Sequence, residues 1–241
     1  MKEPFVVLIT GATGGIGSAL AKVYAEENTT LILQGRKSEK LEELDLECSA
    51  LGARVITKVI DLRERELFSI WLSQVSEQES IDLVIVNAGV NINIGENKEG
   101  ESWQDAQGLI DINVVAAMAT VHGVLPEMRK RRKGQIALIS SLAAYYGLPI
   151  TPSYCASKAA IKAYGESLRG WLRAEGIRVN VVMPGYVESK MCTDMPGPKP
   201  FLWTADKAAR TIRKGLERNQ ARISFPFPLN FGTWFLAVMP A

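Results

Sequence analysis

The sequence predicts a single doubly wound α/β domain: a parallel sheet of about seven strands flanked by helices on both faces. Three observations carry this. Short apolar runs alternate with longer amphipathic ones along all 241 residues. Several of the short runs are continuously apolar, as in parallel strands covered on both faces. The first of them ends in a turn holding four glycines, Thr10 to Gly17, which reads TGATGGIG.

The strand candidates are FVVLIT from Phe5, TLILQ from Thr30, RVITKVI from Arg54, IDLVIVN from Ile81, QIALIS from Gln135, RVNVVM from Arg178 and a weaker ARISF from Ala221. Between them lie SALAKVYAEEN, SEKLEELDLECSALG and a long helical stretch from Ser102 to Lys133. Strand–helix–strand units of this kind close as right-handed crossovers and stack parallel strands. No linker or internal repeat interrupts the series, so residues 1–241 read as one domain, long enough to bury a substantial core.

Composition narrows the function. Hydrophobic residues make up 47% and charged ones 22%, the net charge is +2, and the two signs are interspersed, which argues against a nucleic-acid groove. The densest basic run, Arg129 to Lys133, ends a predicted helix, where cations complement the carbonyl end of its dipole. Cys48, Cys155 and Cys192 are odd in number and lack metal-ligand spacing, which points away from a disulfide framework and towards a reducing compartment. The N-terminal apolar stretch is too short for a signal peptide, and no run reaches the roughly 18 apolar residues of a membrane span. The chain therefore reads as soluble and cytoplasmic. His122, the sole histidine, is predicted to pack structurally, and no metal site is predicted.

The glycine turn points to the chemistry. In a doubly wound fold the first strand-to-helix turn lies at the carboxyl edge of the sheet, beside the reversal of strand order. Glycines there let backbone N–H groups and a helix N-terminus approach a phosphate with no Cβ in the way. An apolar strand before the turn and SALAKVYAEE after it make a dinucleotide site the preferred reading. The spacing is G-x-x-G-G-x-G, not G-x-G-x-x-G.

That spacing, with the rest of the chain, resembles the short-chain dehydrogenase/reductase family in its short single-domain branch. TGATGGIG is similar to the family's TGxxxGxG turn, and Asn87-Ala88-Gly89 to its NAG motif. Asn113 in DINVVAA, Ser141 in ISSLAA, and Tyr154 with Lys158 in YCASKAA match its catalytic tetrad, Ser141 lying 13 residues before Tyr154. Pro184-Gly185-Tyr186-Val187 resembles its PG segment, with Ser189 where threonine is common. The resemblance spans residues 5 to 190 and implies a Rossmann-type fold. Gly11, Gly14 and Gly17 would also fit the TGxxGxxG turn of the longer sugar-nucleotide epimerases. Little chain remains after Val187 for the substrate domain of those enzymes, so Gly11, Gly15 and Gly17 are preferred and Gly14 stays unassigned.

The resemblance implies roles. Tyr154 is the general acid/base, Lys158 lowers its pKa and holds the nicotinamide ribose, Ser141 stabilises the substrate oxygen, and Asn113 supports a proton relay through water. Elementary chemistry agrees. Tyrosine, with a pKa of about 10, costs about 4 kcal/mol to ionise at pH 7. A close ammonium lowers such a pKa by roughly 1–3 units. Residues four apart on a helix share a face.

Cofactor contacts are assigned to Gly11, Thr13, Gly15, Ile16 and Gly17 in the turn, to Asn87, Ala88 and Gly89, to Tyr154 and Lys158, and to Pro184, Gly185 and Val187. NAD enzymes commonly carry an acidic residue after the second strand. Here, in Gln34-Gly35-Arg36-Lys37, Gly35 occupies that place and Arg36 follows, suited to a 2′-phosphate, so NADP(H) is predicted. Asp61 is expected to meet the adenine amino group and Leu62 the ring.

Tyr145, Tyr146, Tyr186, Met191 and Met195 suggest an apolar pocket without an arginine clamp, for a hydrophobic carbonyl compound or secondary alcohol. Residues 186–203 read as a substrate loop. Residues 223–241 form an apolar C-terminal segment that would pack under a partner subunit, cover the pocket or, least favoured, rest on a membrane surface. In the family the two alanine-rich helices, near Val114 to Val124 and from Tyr154, pair between subunits, which implies a homodimer or homotetramer. Two alternatives stay open: a non-catalytic dinucleotide-binding sensor or scaffold, and an NAD-dependent dehydrogenase of the same fold. The presence of Ser141, Tyr154 and Lys158 together favours an enzyme.

Overall fold

A computed structural model describes residues 5–95 and 97–239. Its single sheet holds β1 (Phe5–Ile9), β2 (Thr29–Gly35), β3 (Arg54–Val59), β4 (Leu83–Val86), β5 (Gly134–Ile139), β6 (Ile177–Pro184) and β7 (Arg222–Phe225), in the order β3-β2-β1-β4-β5-β6-β7. Every neighbouring pair is parallel. The chain leaves β1 for β2 on one side and later returns for β4 on the other. The switch point therefore falls between β1 and β4, where ligands of open α/β sheets bind.

Side chains alternate along β1 as the pleat requires. Val7 and Ile9 enter one core with Leu31, Leu33, Leu20 and Ile212. Val6 and Leu8 enter the other with Phe68, Leu72, Val121 and Leu168. The first layer is covered by α1 (Gly15–Tyr24), α2 (Ser38–Ala50) and α8 (Ala205–Glu217); the second by α3 (Arg65–Gln78), α5 (Ala116–Arg131) and α6 (Pro152–Leu172). β2 is buried throughout, whereas the edge strand β3 alternates towards solvent.

The long helical stretch is one continuous helix. It is built from α4 (Trp103–Ile110), a π-helical turn (Asp111–Val115) and α5. By length and mean hydropathy it could cross a bilayer, but half of its most apolar window is buried in this fold, which makes it a core helix. Val121, Val124, Leu125 and Met128 form its buried stripe. His122 falls off that stripe and is exposed, contrary to the packing role expected of it. The basic run at its end does more than meet a helix dipole. Lys133 Nζ lies 2.8 Å from the Asp82 carboxylate, Arg131 donates to Ile81 O at 2.6 Å, and Arg129 pairs with Glu175. These bonds tie the helix end to the entrances of β4 and β6.

After β6 the 186–203 loop closes at a neck. Glu188 N donates to Trp203 O at 2.9 Å and Trp203 N to Tyr186 O at 3.0 Å. Between them lies α7 (Lys190–Thr193), capped by the Ser189 hydroxyl. The C-terminal segment forms α9 (Leu229–Val238). Leu229 packs against Leu142 and Met183, and Asn230 donates to Ser224 O. Phe231, Trp234, Phe235, Leu236 and Val238 stand exposed.

Gln34 joins the strand ends that carry the glycine turn. Only 1% exposed, it accepts from Gly11 N at 3.0 Å and donates to Ile60 O at 2.7 Å. The isosteric Gln34→Met leaves both backbone groups buried and unpaired, which costs roughly 1–3 kcal/mol each. Urea denaturation is expected to show a total loss of about 2–6 kcal/mol.

Candidate active site

The turn after β1 is built against the end of β4. Thr10 Oγ1 accepts from Asn87 N and Ala88 N at 3.1 and 3.2 Å, while Asn87 Nδ2 donates to Thr10 O and Gly11 O at 3.1 and 3.0 Å. Gly11 has φ +63°, and a Cβ there would lie 2.7 Å from Ala88 Cα. A Cβ at Gly17 would collide with Gly11 O and lie 2.8 Å from Asn87 Nδ2. At Gly15 it would fall 2.6 Å from Glu188 O, so the close approach at this position includes the chain's own backbone after β6. Gly14 differs: its extended backbone caps α1, and the nearest atom to an added Cβ is Gly11 O at 3.4 Å. The geometry thus requires glycine at 11, 15 and 17 and tolerates a side chain at 14, which selects the reductase spacing.

Among the described residues, no side chain caps α1. The first N–H groups of a helix have no partner within it. Gly15, Ile16 and Gly17 occupy that first turn, with Ile16 leaning on the sheet core. An uncapped helix start walled by glycines fits a pyrophosphate.

The residues expected to meet the adenosine lie at the tips of β2 and β3. A Cβ on Gly35 would meet Thr13 at 3.0 Å, which places Thr13 beside the end of β2. Arg36 follows, exposed, with Nη1 3.8 Å from Asp61 Oδ2. The Asp61 carboxylate is occupied by Arg63, whose Nη2 lies 2.7 Å from Oδ2 and whose Nε lies 3.1 Å from Oδ1. The Arg63 hydrogen bond, partly opposed by burial, lowers the Asp61 pKa to about 2. Arg63 escaped the sequence reading because an arginine three residues past a strand has no distinctive pattern. Leu62 is 6% exposed and packs into the core with Phe68.

The residues expected to react come from the end of β5 and from α6. Ser140 Oγ donates to Lys158 O at 2.7 Å, joining the end of β5 to the middle of α6. Thr151 Oγ1 bonds Asn91 Oδ1 and Ile92 O at 2.6 Å, and the Glu101 carboxylate accepts from Ser153 N at 3.1 Å. These contacts fix the start of α6, so Tyr154 and Lys158 point the same way. Lys158 is 4% exposed; its Nζ donates to Ile139 O at 3.0 Å and lies 5.6 Å from the centre of the Tyr154 ring. Ser141 Oγ accepts from Ala143 N, donates to Pro184 O at 3.4 Å and faces the Tyr154 hydroxyl closely enough to moderate its pKa.

Burial dominates the electrostatics of the pair. Burial pushes the Tyr154 phenol up to about 12, with the Ser141 hydrogen bond offsetting part of the rise. Burial brings the Lys158 ammonium down to about 8. Burial is the largest influence on both groups, and Lys158 Nζ is held by Ile139 O.

Asn113 sits in the π-helical turn, a distortion frequent at functional sites. Its Nδ2 donates to Val90 O at 2.9 Å and Ser157 Oγ at 3.0 Å, and its Oδ1 accepts from Val90 N at 2.8 Å. The amide therefore clamps the loop after β4 onto α6, beside Lys158. A Cβ on Gly89 would lie 3.3 Å from Asn113 Oδ1 and 3.4 Å from Lys158 Nζ, so the NAG glycine leaves the lysine room.

On the substrate side, Tyr146 and Met191 are exposed and Tyr186 is half-buried. Tyr145 lies under the Lys162 ammonium and near Arg222, itself paired with Glu166. It therefore has charged neighbours that an apolar pocket did not suggest. Pro184 ends β6, Gly185 N donates to Phe225 O at 2.8 Å, and Val187 is buried against Trp203.

The lysine's burial has a stability cost. Its pKa falls from 10.5 to about 8 on folding, which at about 1.4 kcal/mol per unit makes the folded state about 3 kcal/mol less stable below pH 8. Lys158→Met removes that cost and the Ile139 hydrogen bond, leaving a net gain on the order of 2 kcal/mol at pH 7. The gain is expected to shrink as pH rises from about 8 towards 10.5, where the unfolded lysine also loses its proton. Denaturant titrations at several pH values check this; a gain independent of pH would contradict it.

The family model for short chain dehydrogenase matches residues 5–198. An uncharacterized oxidoreductase of Myxococcus xanthus is 35% identical over 234 residues, spanning 97% of this chain and 92% of its own. A 3-oxoacyl-acyl-carrier-protein reductase of Thermotoga maritima is 32% identical over 197 residues, 80% of this chain and 78% of its own. A short-chain dehydrogenase from Sphingobium yanoikuyae, solved in complex with NADPH, has a TM-score of 0.85 at 23% identity, covering 93% of this chain and 89% of that one, a likeness of fold. The matched span contains the glycine turn, Asn87 to Gly89, Ser141, Tyr154 and Lys158, and the chain is an oxidoreductase of the short-chain dehydrogenase family.

Proposed function

We propose that the protein transfers a hydride between NADP(H) and a carbonyl or secondary alcohol group of a small apolar substrate. The convergence of Ser141, Tyr154 and Lys158 at the switch point, beside an uncapped glycine turn, carries this reading. Arg36 at the end of β2 supports the phosphorylated cofactor, as does the NADPH bound by the Sphingobium protein of the same fold.

The nicotinamide supplies or accepts the hydride. Tyr154 Oη gives a proton to the substrate oxygen as charge builds there, and Ser141 Oγ donates a hydrogen bond to the same atom. Lys158, against the tyrosine ring, stabilises the phenolate that remains, holds the ribose and returns a proton to Oη. Asn113 supports this relay by holding Val90 and Ser157 around the lysine. With a phenol raised to about 12, Tyr154 is protonated at neutral pH and can serve as the proton donor in carbonyl reduction. Exposed Met191 and half-buried Tyr186 on the 186–203 loop suit an apolar substrate.

Following nicotinamide fluorescence during titration with NADPH and with NADH tests the cofactor; equal affinities would remove Arg36 from the site. Tyr154→Phe is expected to lower kcat about 10²–10⁴-fold and to leave the NADPH dissociation constant within a few-fold. Unchanged turnover would overturn the assigned role.

We also propose a homodimer or homotetramer. α9 exposes Phe231, Trp234, Phe235, Leu236 and Val238, more apolar surface than a monomer ordinarily leaves open. Deleting residues from Asn230 onward is expected to reduce the oligomer, as read by light scattering at micromolar concentration. A monomeric full-length chain would refute the assembly.

A further inference from the structure

We propose that Arg63 is a second determinant of cofactor choice. Together with Arg36 it forms a two-guanidinium seat for a 2′-phosphate, with Asp61 as their shared counter-ion. The proposal rests on the NADP(H) reading above and assigns a residue to it that no motif marks.

Arg36 follows β2 and Arg63 follows β3, yet both guanidinium groups converge on one oxygen. Arg63 Nη2 lies 2.7 Å from Asp61 Oδ2, and Arg36 Nη1 lies 3.8 Å from the same atom. Both side chains are about half open to solvent, 54% for Arg63 and 55% for Arg36. A guanidinium has five N–H donors, and Arg63 uses only its Nε and Nη2 on the carboxylate. The place is right as well: Gly35 abuts Thr13, so Arg36 projects beside the turn that would seat the pyrophosphate.

Charge explains why one arginine would not suffice. Asp61 is ionised at any working pH and would repel a phosphate dianion. With Arg36 alone the two charges would cancel, and the free carboxylate would draw the guanidinium into a direct pair. Arg63 takes up the carboxylate through a forked contact and leaves Arg36 beyond hydrogen-bond reach of it, free to turn to an incoming phosphate. Two cations and one anion leave a net charge of +1. A neutral 2′-hydroxyl gains little from that charge; a 2′-phosphate gains a great deal.

Calorimetry with adenosine 2′,5′-bisphosphate and with AMP tests the seat without turnover. The wild type is expected to prefer the bisphosphate. Arg63→Gln should weaken the bisphosphate about tenfold or more and leave AMP within about twofold, as the loss of one charge-assisted contact predicts. Arg63→Lys, which keeps the charge but not the fork, should fall between. Adding Asp61→Asn to Arg63→Gln releases Arg36 and should restore part of the bisphosphate-to-AMP ratio. Equal weakening of both ligands by Arg63→Gln would mean a general positioning role and overturn the proposal, as would no weakening of either. If Arg36→Gln loses the bisphosphate selectively while Arg63→Gln does not, the NADP(H) reading stands and the Arg63 assignment falls. A wild type that binds both ligands equally would refute both. Thermal unfolding of each variant separates misfolding from lost contacts.

Discussion

The hydrogen bonds between Thr10 and Asn87 hold the ends of β1 and β4 together where the strand order reverses. Four bonds of about 3 Å join one threonine hydroxyl and one asparagine amide to the backbone of the opposite strand end. Parallel strands normally diverge into their helices here and open the crevice at the switch point. The latch draws the floor of that crevice so tight that Gly11 lies against Ala88 and Gly17 against Gly11 O, which leaves no space for a Cβ. The start of α1 is thereby aimed into the crevice. The loop after β4 is held equally firmly, by Asn113 and Thr151, against the helix that carries Tyr154 and Lys158. Cofactor turn and reacting groups are thus positioned from one point of the sheet.

Tyr154 and Lys158 would each be easier to ionise in water. Their burial raises one pKa and lowers the other, so each neutral form gains ground relative to water. A structural core would not select such a pair, because an ion-forming residue buried without a counter-charge destabilises the fold. The neighbouring polar contacts, Ser140 to the Lys158 carbonyl and Lys158 to Ile139 O, show how the surroundings tolerate it. Perturbation of two adjacent titrating groups in opposite directions is a signature of a reactive site.

Much of this was legible in the sequence, for identifiable reasons. The buried strands announced themselves as unbroken apolar runs, and β1, β2 and β6 lie within a residue or so of the expected starts. The glycine turn was legible because its conformations exclude other residues. Four-residue spacing on a helix brought Tyr154 beside Lys158, because local periodicity survives any tertiary arrangement. What escaped depended on contacts between distant segments. Gln34 bridging Gly11 and Ile60, Arg63 closing on Asp61, and Asn113 spending its amide on Val90 and Ser157 each need a partner that sequence spacing does not name. His122 misled for a related reason: an alanine-rich stretch hides which helix face is buried until the neighbouring helices are in place.

The two halves of the site are fixed by different kinds of contact. On the cofactor side backbone meets backbone: Gly11 against Ala88, Gly15 against Glu188 and Gly17 against Gly11. Such contacts admit no side chain, so this half cannot drift without losing the turn. On the substrate side, side chains meet side chains. Trp203 stacks on Phe225 with ring centres 4.9 Å apart, Lys207 covers Trp203 at 4.1 Å, and Leu229 fills the space beside Leu142 and Met183. Packing of that kind accepts substitutions of similar volume at modest cost. The neck of the 186–203 loop and the root of α9 both rest on it, so a change at Trp203 or Leu229 would reshape the substrate side without disturbing the latch between β1 and β4. A fold divided in this way can hold one cofactor chemistry constant while its substrate changes. It also explains why the turn and the Tyr154–Lys158 pair can be read from the sequence, while the identity of the substrate is left to side chains that pack on one another.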